Sequence, residues 1–326
     1  MSILAELPRP FFALAPMDDV TDTVFRQVVA GCAPPDLFFT EFVNVDGLQS
    51  AGRPHLLHKL AFAPIETRLV AQLWGLQPEN FKAVARQIAT GTLARELGLP
   101  EGCNFVGVDL NMGCPAKSEV QNGACSALIK NRLLTAAIID ATKEGLGGRL
   151  PLSIKTRLGF NEVDLSWIEF LLSKKLDMLT VHGRTRKEMS AVPAHWDLIG
   201  EVPKLRDRLA PETKIIGNGD VATRRQGQAL AEEYQLDGIM IGRGVFQDPF
   251  VFAARSPWSN YTKQQRLNLY RRHVEQFAQT WPNGERRVHV LNKFCKIYVS
   301  GFEGAKELRE QLMQAESAAE LLHWLA

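Results

Sequence analysis

The chain has 326 residues, 45% hydrophobic and 23% charged, a balance that buries a full core and excludes disordered, collagenous and fibrous classes. Its 38 basic and 36 acidic side chains leave a formal charge of only +2, so whole-molecule charge does not announce nucleic acid, and any basic face must come from local segregation. The opening MSILAELPRPFFALAP carries Glu6 and three prolines where a secretory leader needs a basic start and an unbroken apolar run. No run of about 18 apolar residues occurs, which argues against a membrane span. The five cysteines, Cys32, Cys103, Cys114, Cys125 and Cys295, form no CxxC pair. We therefore expect a cytoplasmic protein with free thiols and no metal site.

In chain order, short apolar runs recur at 11–17, 36–43, 67–75, 105–113, 150–159, 178–184, 214–220 and 238–244, with helical periodicity between most of them. Eight strand-then-helix units predict an α/β fold, a (β/α)8 TIM barrel over residues 1–252. A doubly wound sheet is the alternative, but it more often has a glycine-rich turn after its first strand, where this chain has APMDDVTD. In a barrel the strand C-termini form the active face. The seventh and eighth strands end in Asn218, Gly219 and Asp220 and in Gly242, Arg243 and Gly244. Each group alone reads equally well as a tight turn; side by side they favour a phosphate site.

The fourth strand runs into Asn111, Gly113, Cys114 and Pro115, which sets a thiol at the barrel mouth. A lone cysteine is usually a small buried hydrophobe, but this position favours function. Cys103 and Cys125 lack such flanks and are read as structural. Beyond the barrel, residues 253–326 read as a small C-terminal helical domain. Between Lys263 and Arg309 it holds ten basic residues against four acidic ones, a net of about +6. A solvated helix face would explain that run. The interleaved Tyr270, His273, His289, Phe294 and Tyr298 favour an RNA-facing surface, because unstacked bases seek flat side chains.

The blocks LAPMDDVTD, TRLVAQLWG, DLNMGCPAKSEVQNGACSALI, KTRLGF, TVHGRTR, GNGD with MIGRG, and NKFCKIYVSGFEGAKELR, in this order, resemble the tRNA-dihydrouridine synthases, FMN enzymes that reduce particular uridines in tRNA. The resemblance implies that Pro16 and Met17 pack beside the isoalloxazine, Gln72 bonds its polar edge and Lys155 lies by N1/O2. It puts His182 on the phosphate or ribityl side, and Asn218, Gly219, Asp220, Gly242 and Arg243 around the phosphate. Reduced FMN would deliver hydride to C6 of uracil and Cys114 a proton to C5, with the flavin re-reduced by NADPH. An unperturbed thiol, pKa about 8.5, keeps its proton at neutral pH, so Cys114 is expected not to be strongly activated.

Asn111 is a candidate to orient uracil or flavin. Lys117, Arg157, Arg184 and Arg186 on the mouth, and Arg271, Arg272, Arg286, Arg287 and Lys293 in the tail, are candidates for tRNA contact; for those on the mouth, structural ion pairs are an equally good reading. A uridine in folded tRNA must be flipped out to reach the mouth. With no GxGxxG after a strand, NADPH is expected to dock transiently where RNA later binds. A monomer is expected. The rival readings are an FMN barrel acting on a free pyrimidine, a synthase acting on ribosomal RNA, and an RNA-binding barrel without turnover.

Overall fold

A computed structural model describes residues 3–325. Nine strands form one sheet: β1 (Phe11–Leu14), β2 (Phe38–Phe39), β3 (Val43–Asn44), β4 (Leu69–Trp74), β5 (Gly107–Met112), β6 (Leu152–Gly159), β7 (Met178–Thr185), β8 (Lys214–Asn218) and β9 (Gly238–Ile241). All pairs are parallel, in the order β1-β9-β8-β7-β6-β5-β4-β2, with β3 also on β4. A parallel bridge between Ala13 and Leu37 joins β1 to the segment entering β2 and closes the ring. Strands β2 and β3 are the two halves of the predicted second strand, so the barrel has the eight staves read from the sequence. The interruption lies at residues 40–42, where the Thr40 hydroxyl donates to the Glu41 carbonyl (2.7 Å) and the Glu41 side chain is fully buried.

Burial follows the period of two. Phe11, Ala13 and Ala15 face inward with Phe39, Val70, Met178, Ile216 and Met240, while Phe12 and Leu14 face the helical layer. Four helices of that layer begin at side-chain caps. Asp22 accepts from the N–H of Phe25 ahead of Thr23–Cys32, and Asn131, Asp164 and Thr223 do the same for Arg132–Leu146, Leu165–Ser173 and Arg224–Glu233. Glu201–Leu209 is a helix that the sequence reading did not identify; only Val202, Pro203, Leu205 and Arg206 of its charged length are buried.

After β9 come the helices Lys263–Thr280, started by a Thr262/Gln265 capping box, Asn292–Tyr298, Ala305–Leu312 and Ala318–Trp324. The first two pack against Thr23–Cys32, with the Phe25 ring 4.6 Å from that of Phe294 and 5.8 Å from His273. This corrects the expectation of a stacking surface. Tyr270, His273, Phe294 and Tyr298 are buried, Tyr270 stacks on Tyr298 at 5.0 Å, and His273 Nδ1 lies 3.0 Å from the Tyr298 hydroxyl. Positions 270, 273, 274 and 277 form one helical stripe, and that stripe is the core face; of the five, only His289 is exposed. No helix among the described residues is long and apolar enough to cross a membrane.

Candidate active site

The C-terminal strand ends enclose a cavity of about 160 Å³. It is lined by Ala15, Pro16 and Met17 beyond β1, Lys155 of β6, His182 of β7, Asn218 to Val221 at β8, and Met240 with Gly242 to Gly244 at β9. Nine of the ten residues named above for a cofactor are among these; Gln72 is not, being fully buried beneath.

Several lining groups are fixed by hydrogen bonds. The Met17 N–H donates to Thr21 Oγ1 (2.9 Å), and Asn218 Nδ2 donates to the Met240 carbonyl (2.8 Å). Gly219 has φ +136°, and a Cβ there would stand 2.7 Å from that of Ala194, so no larger residue fits. The Asp220 carboxylate accepts from the Ala194 N–H (2.9 Å), from Arg184 and from Arg243 Nη2 (3.1 Å). These bonds outweigh burial and hold it below the usual carboxylate range. Its side chain therefore holds cations rather than offering itself to an anion. The first bond of the turn Arg243–Phe246 is Val245 N–H to Gly242 O (3.2 Å), which leaves the N–H groups of Arg243 and Gly244 without a partner in that turn.

Lys155 Nζ makes no hydrogen bond to the described residues, and burial, reinforced by Arg157, pushes its pKa down to about 8. His182 lies far below its ordinary value, through burial and then Arg157 and Lys155, and is neutral. Its Nδ1 lies 3.4 Å from Arg157 Nη1. A guanidinium only donates, so Nδ1 accepts and the ring proton sits on Nε2.

The Cys114 loop is held from three sides. Asn111 Oδ1 accepts from the N–H groups of Gly113 (3.1 Å) and Cys114 (2.9 Å). Arg157 Nε donates to the Gly113 carbonyl (2.7 Å), and the Ser126 N–H to the Cys114 carbonyl (3.3 Å). A hydrogen bond with the Cys125 thiol lowers the Cys114 pKa to about 7, against burial, while Cys125 is pushed well up. The reading of Cys125 as merely structural therefore misses its contact with Cys114; a Cys114 pKa of about 7 is a modest lowering rather than strong activation. The contact arises because the loop folds back over residues 115–124. The one local sign is that Cys125 has φ +53°, uncommon for a residue with a side chain.

Three expected RNA contacts are corrected. Arg157 is buried, with Nη1 donating to the carbonyls of Thr185 (3.1 Å) and Met189 (3.2 Å). Arg184 is 2% exposed and is bound to the Val192 carbonyl (2.5 Å) and Asp220. Arg286 is 6% exposed, with Nη1 2.5 Å from Glu41 Oε2, and Nη2 3.0 Å from Glu41 Oε1 and 3.3 Å from Asp19. Burial opposes its charge, but Glu41 outweighs burial and holds it protonated. Arg157 and Arg286 are thus spent on internal acceptors, and Arg184, whose Nη1 has no hydrogen-bond partner among the described residues, is too deeply buried to meet RNA.

Lys293 is tied to Asp19 (3.4 Å), and Arg271 to Glu275 (3.8 Å) and the Leu322 carbonyl (3.4 Å). Lys117, Arg272 and Arg287 are exposed and make no ion pair among the described residues. Half-buried Arg186 lies 5.3 Å from the centre of the Phe160 ring, which Lys130 also approaches, at 4.2 Å; the sequence reading named neither Phe160 nor Lys130.

The likeness to known proteins covers both barrel and tail. The dihydrouridine synthase (Dus) family profile matches residues 13–326. The chain is 44% identical over 319 residues to the "Probable tRNA-dihydrouridine synthase" of Staphylococcus aureus (strain COL), covering 97% of this chain and 92% of that one. It is 44% identical over 319 residues to the "Probable tRNA-dihydrouridine synthase 2" of Bacillus subtilis (strain 168), covering 97% and 93%. Among solved structures, histamine dehydrogenase from Rhizobium sp. 4-9 is similar with a TM-score of 0.52 at 12% identity, over 81% of this chain and 48% of that one. That likeness shows the barrel fold alone, and this chain spans about half the length of that protein. With the match running from the first barrel strand through the last tail helix, the chain belongs to the dihydrouridine synthase family.

Proposed function

We propose that this protein is a flavin-dependent tRNA-dihydrouridine synthase, reducing the C5=C6 bond of a particular uridine in tRNA. The observation that carries the reading is the pairing, on one barrel mouth, of an anion-ready cavity with a thiol on the adjacent strand end. The relatives' names supply the substrate. The donor set fits FMN: Arg243 beside two free turn N–H groups suits a phosphate, and the unpartnered Lys155 ammonium suits the electron-rich edge of the ring system.

Bound there, FMN supplies the hydride that adds to C6. Pro16 and Met17 would pack against the ring system, and the Nε2–H of His182 would donate to the ribityl or phosphate side. Asn218, Gly219 and Gly242 would shape the phosphate end, Asp220 would orient Arg243, and Gln72 would act from beneath through Asn111. Cys114 would protonate C5 from its thiol, leaving a thiolate that the Cys125 S–H stabilises and solvent reprotonates. With the Cys114 pKa at about 7, the acid form is well populated at neutral pH.

Lys117, Lys130, Arg186, Arg272 and Arg287 would carry the backbone contacts that position the flipped uridine. NADPH would serve as reductant and occupy the same mouth in turn with tRNA. The enzyme would act as a monomer in the cytoplasm, with residues 253–326 as its tRNA-binding domain.

The test is a visible spectrum of the purified protein, followed by NADPH-dependent formation of dihydrouridine in unmodified tRNA, with Cys114→Ala alongside. A yellow protein whose product vanishes in the variant supports the assignment. A colourless protein, or full activity without the thiol, refutes it.

A further inference from the structure

Below the Cys114 loop the barrel interior turns polar, where packed side chains in such barrels are mostly branched and apolar. Gln72, Asp109 and Ser153 occupy paired register positions on β4, β5 and β6, and Asp109 is 0% exposed. Asn111 and Lys155 pair one layer nearer the mouth. A carboxylate at such depth is costly unless it is fully hydrogen-bonded. Asp109 accepts from the Ser153 hydroxyl (2.5 Å) and from Gln72 Nε2 (2.7 Å); burial outweighs these bonds and Lys155 and pushes its pKa up to about 6, which still leaves it a carboxylate at neutral pH.

We propose that Asp109 is a positioning residue for the Cys114 loop, acting through the side-chain amides of Gln72 and Asn111. The chain of bonds runs one way. A carboxylate only accepts, so Gln72 must turn its Nε2 toward Asp109. Its Oε1 then faces Asn111 and accepts from Asn111 Nδ2 (3.2 Å). That leaves Asn111 Oδ1 to take the N–H groups of Gly113 and Cys114. The far end demands the same polarity, because a backbone N–H only donates. Two amides that are each reversible in isolation are thereby locked in one sense between an obligate acceptor and two obligate donors. The Gln72 N–H is itself fixed to Thr40 Oγ1 (3.0 Å), so the relay cannot slide. Nothing in it touches the reacting atoms below Asn111; Asp109 acts by holding the thiol's backbone in place.

The inference rests on Cys114 being the acid of the proposed reaction. Asp109→Leu leaves Gln72 Nε2 without an acceptor and frees the relay. Asp109→Asn keeps an oxygen for Gln72 while its own Nδ2 faces the Ser153 hydroxyl, which can turn its proton toward the Val108 carbonyl (3.4 Å). On the flavin-loaded enzyme we expect Asp109→Leu to lower kcat about 10- to 100-fold with KM for tRNA within twofold. The pH midpoint of Cys114 alkylation by iodoacetamide should move, and Asp109→Asn should recover most of both. If Asp109→Leu does not fold, Gln72→Met breaks the same relay one link higher and should give the same alkylation change. An unchanged alkylation profile in either variant, or Asp109→Asn as impaired as Asp109→Leu, overturns the proposal. A wild-type enzyme inert on tRNA, whose Cys114 alkylation still responds to Asp109→Leu, overturns the assigned reaction and leaves the relay standing.

Discussion

Removing the Arg286 guanidinium separates the two readings of that residue, RNA ligand and internal clamp. Its two terminal nitrogens hold the two oxygens of Glu41 at 2.5 and 3.0 Å, and Glu41 is 0% exposed. Asp22, also buried, lies 3.6 Å from Arg286 Nη1. Breaking a buried pair by deleting one partner leaves an uncompensated charge and typically costs about 3–5 kcal/mol. At roughly 2–4 °C per kcal/mol for a large domain, Arg286→Ala should melt on the order of 10 °C below wild type. Arg286→Lys should lose less, keeping the charge but not the two-point geometry. Arg286→Ala combined with Glu41→Gln should be more stable than Arg286→Ala alone, because the orphaned charge is gone. Urea and thermal unfolding followed by tryptophan fluorescence measure all three. Arg286→Ala within about 0.5 kcal/mol of wild type, together with a reduced salt slope of tRNA binding, would refute the clamp and restore the RNA role.

Replacing Cys125 by Ala removes the S–H that stabilises the Cys114 thiolate. The alkylation midpoint, near pH 7 in the wild type, should rise toward the ordinary thiol value of about 8.5, and labelling at pH 7 should slow. Lys155 loses its proton as pH rises through about 8, so reductase activity that depends on the ammonium should decline above that pH. Lys155→Met should be weak throughout and lack that alkaline limb; a wild-type profile flat from pH 7 to 9.5 would contradict the role. For tRNA binding, Lys117→Ala, Arg272→Ala and Arg287→Ala should each reduce the slope of log K against log salt by about 0.7–0.9 per contact, whereas Arg184→Ala should leave it unchanged. Equal slopes across all four variants would remove these residues from the interface.

The barrel was legible because each stave is an apolar run ending in Asn, Gly or Asp, and such endings are the mouth. Gly219 and the Gly242–Gly244 turn, read as strand endings, line the cavity at that mouth. Arginine is different. Arg157, Arg184 and Arg286 look in sequence like Arg272 and Arg287, and what separates them is the acceptor each meets, Gly113, Asp220 or Glu41, many residues away. The tail aromatics misled differently. Spacing at 270, 273 and 277 shows that they share one helix face, and a shared apolar face beside a charged one is usually the core. Asp109 sits in a strand whose apolar neighbours conceal that it points inward at a polar layer.

The break in the second stave has a consequence for how the molecule is made. Glu41 lies close to the barrel's closing seam, and its partner is 245 residues downstream. While the nascent chain emerges, every stave is available long before Arg286, yet a barrel closed without it would bury the Glu41 carboxylate with the Asp19 N–H (2.6 Å) as its partner and no counter-charge from Arg286. That corner must stay hydrated until the tail arrives, so the catalytic mouth takes its final shape only near the end of synthesis. A product lacking the tail should therefore carry an unfinished mouth and be cleaved by proteases more readily than the full chain.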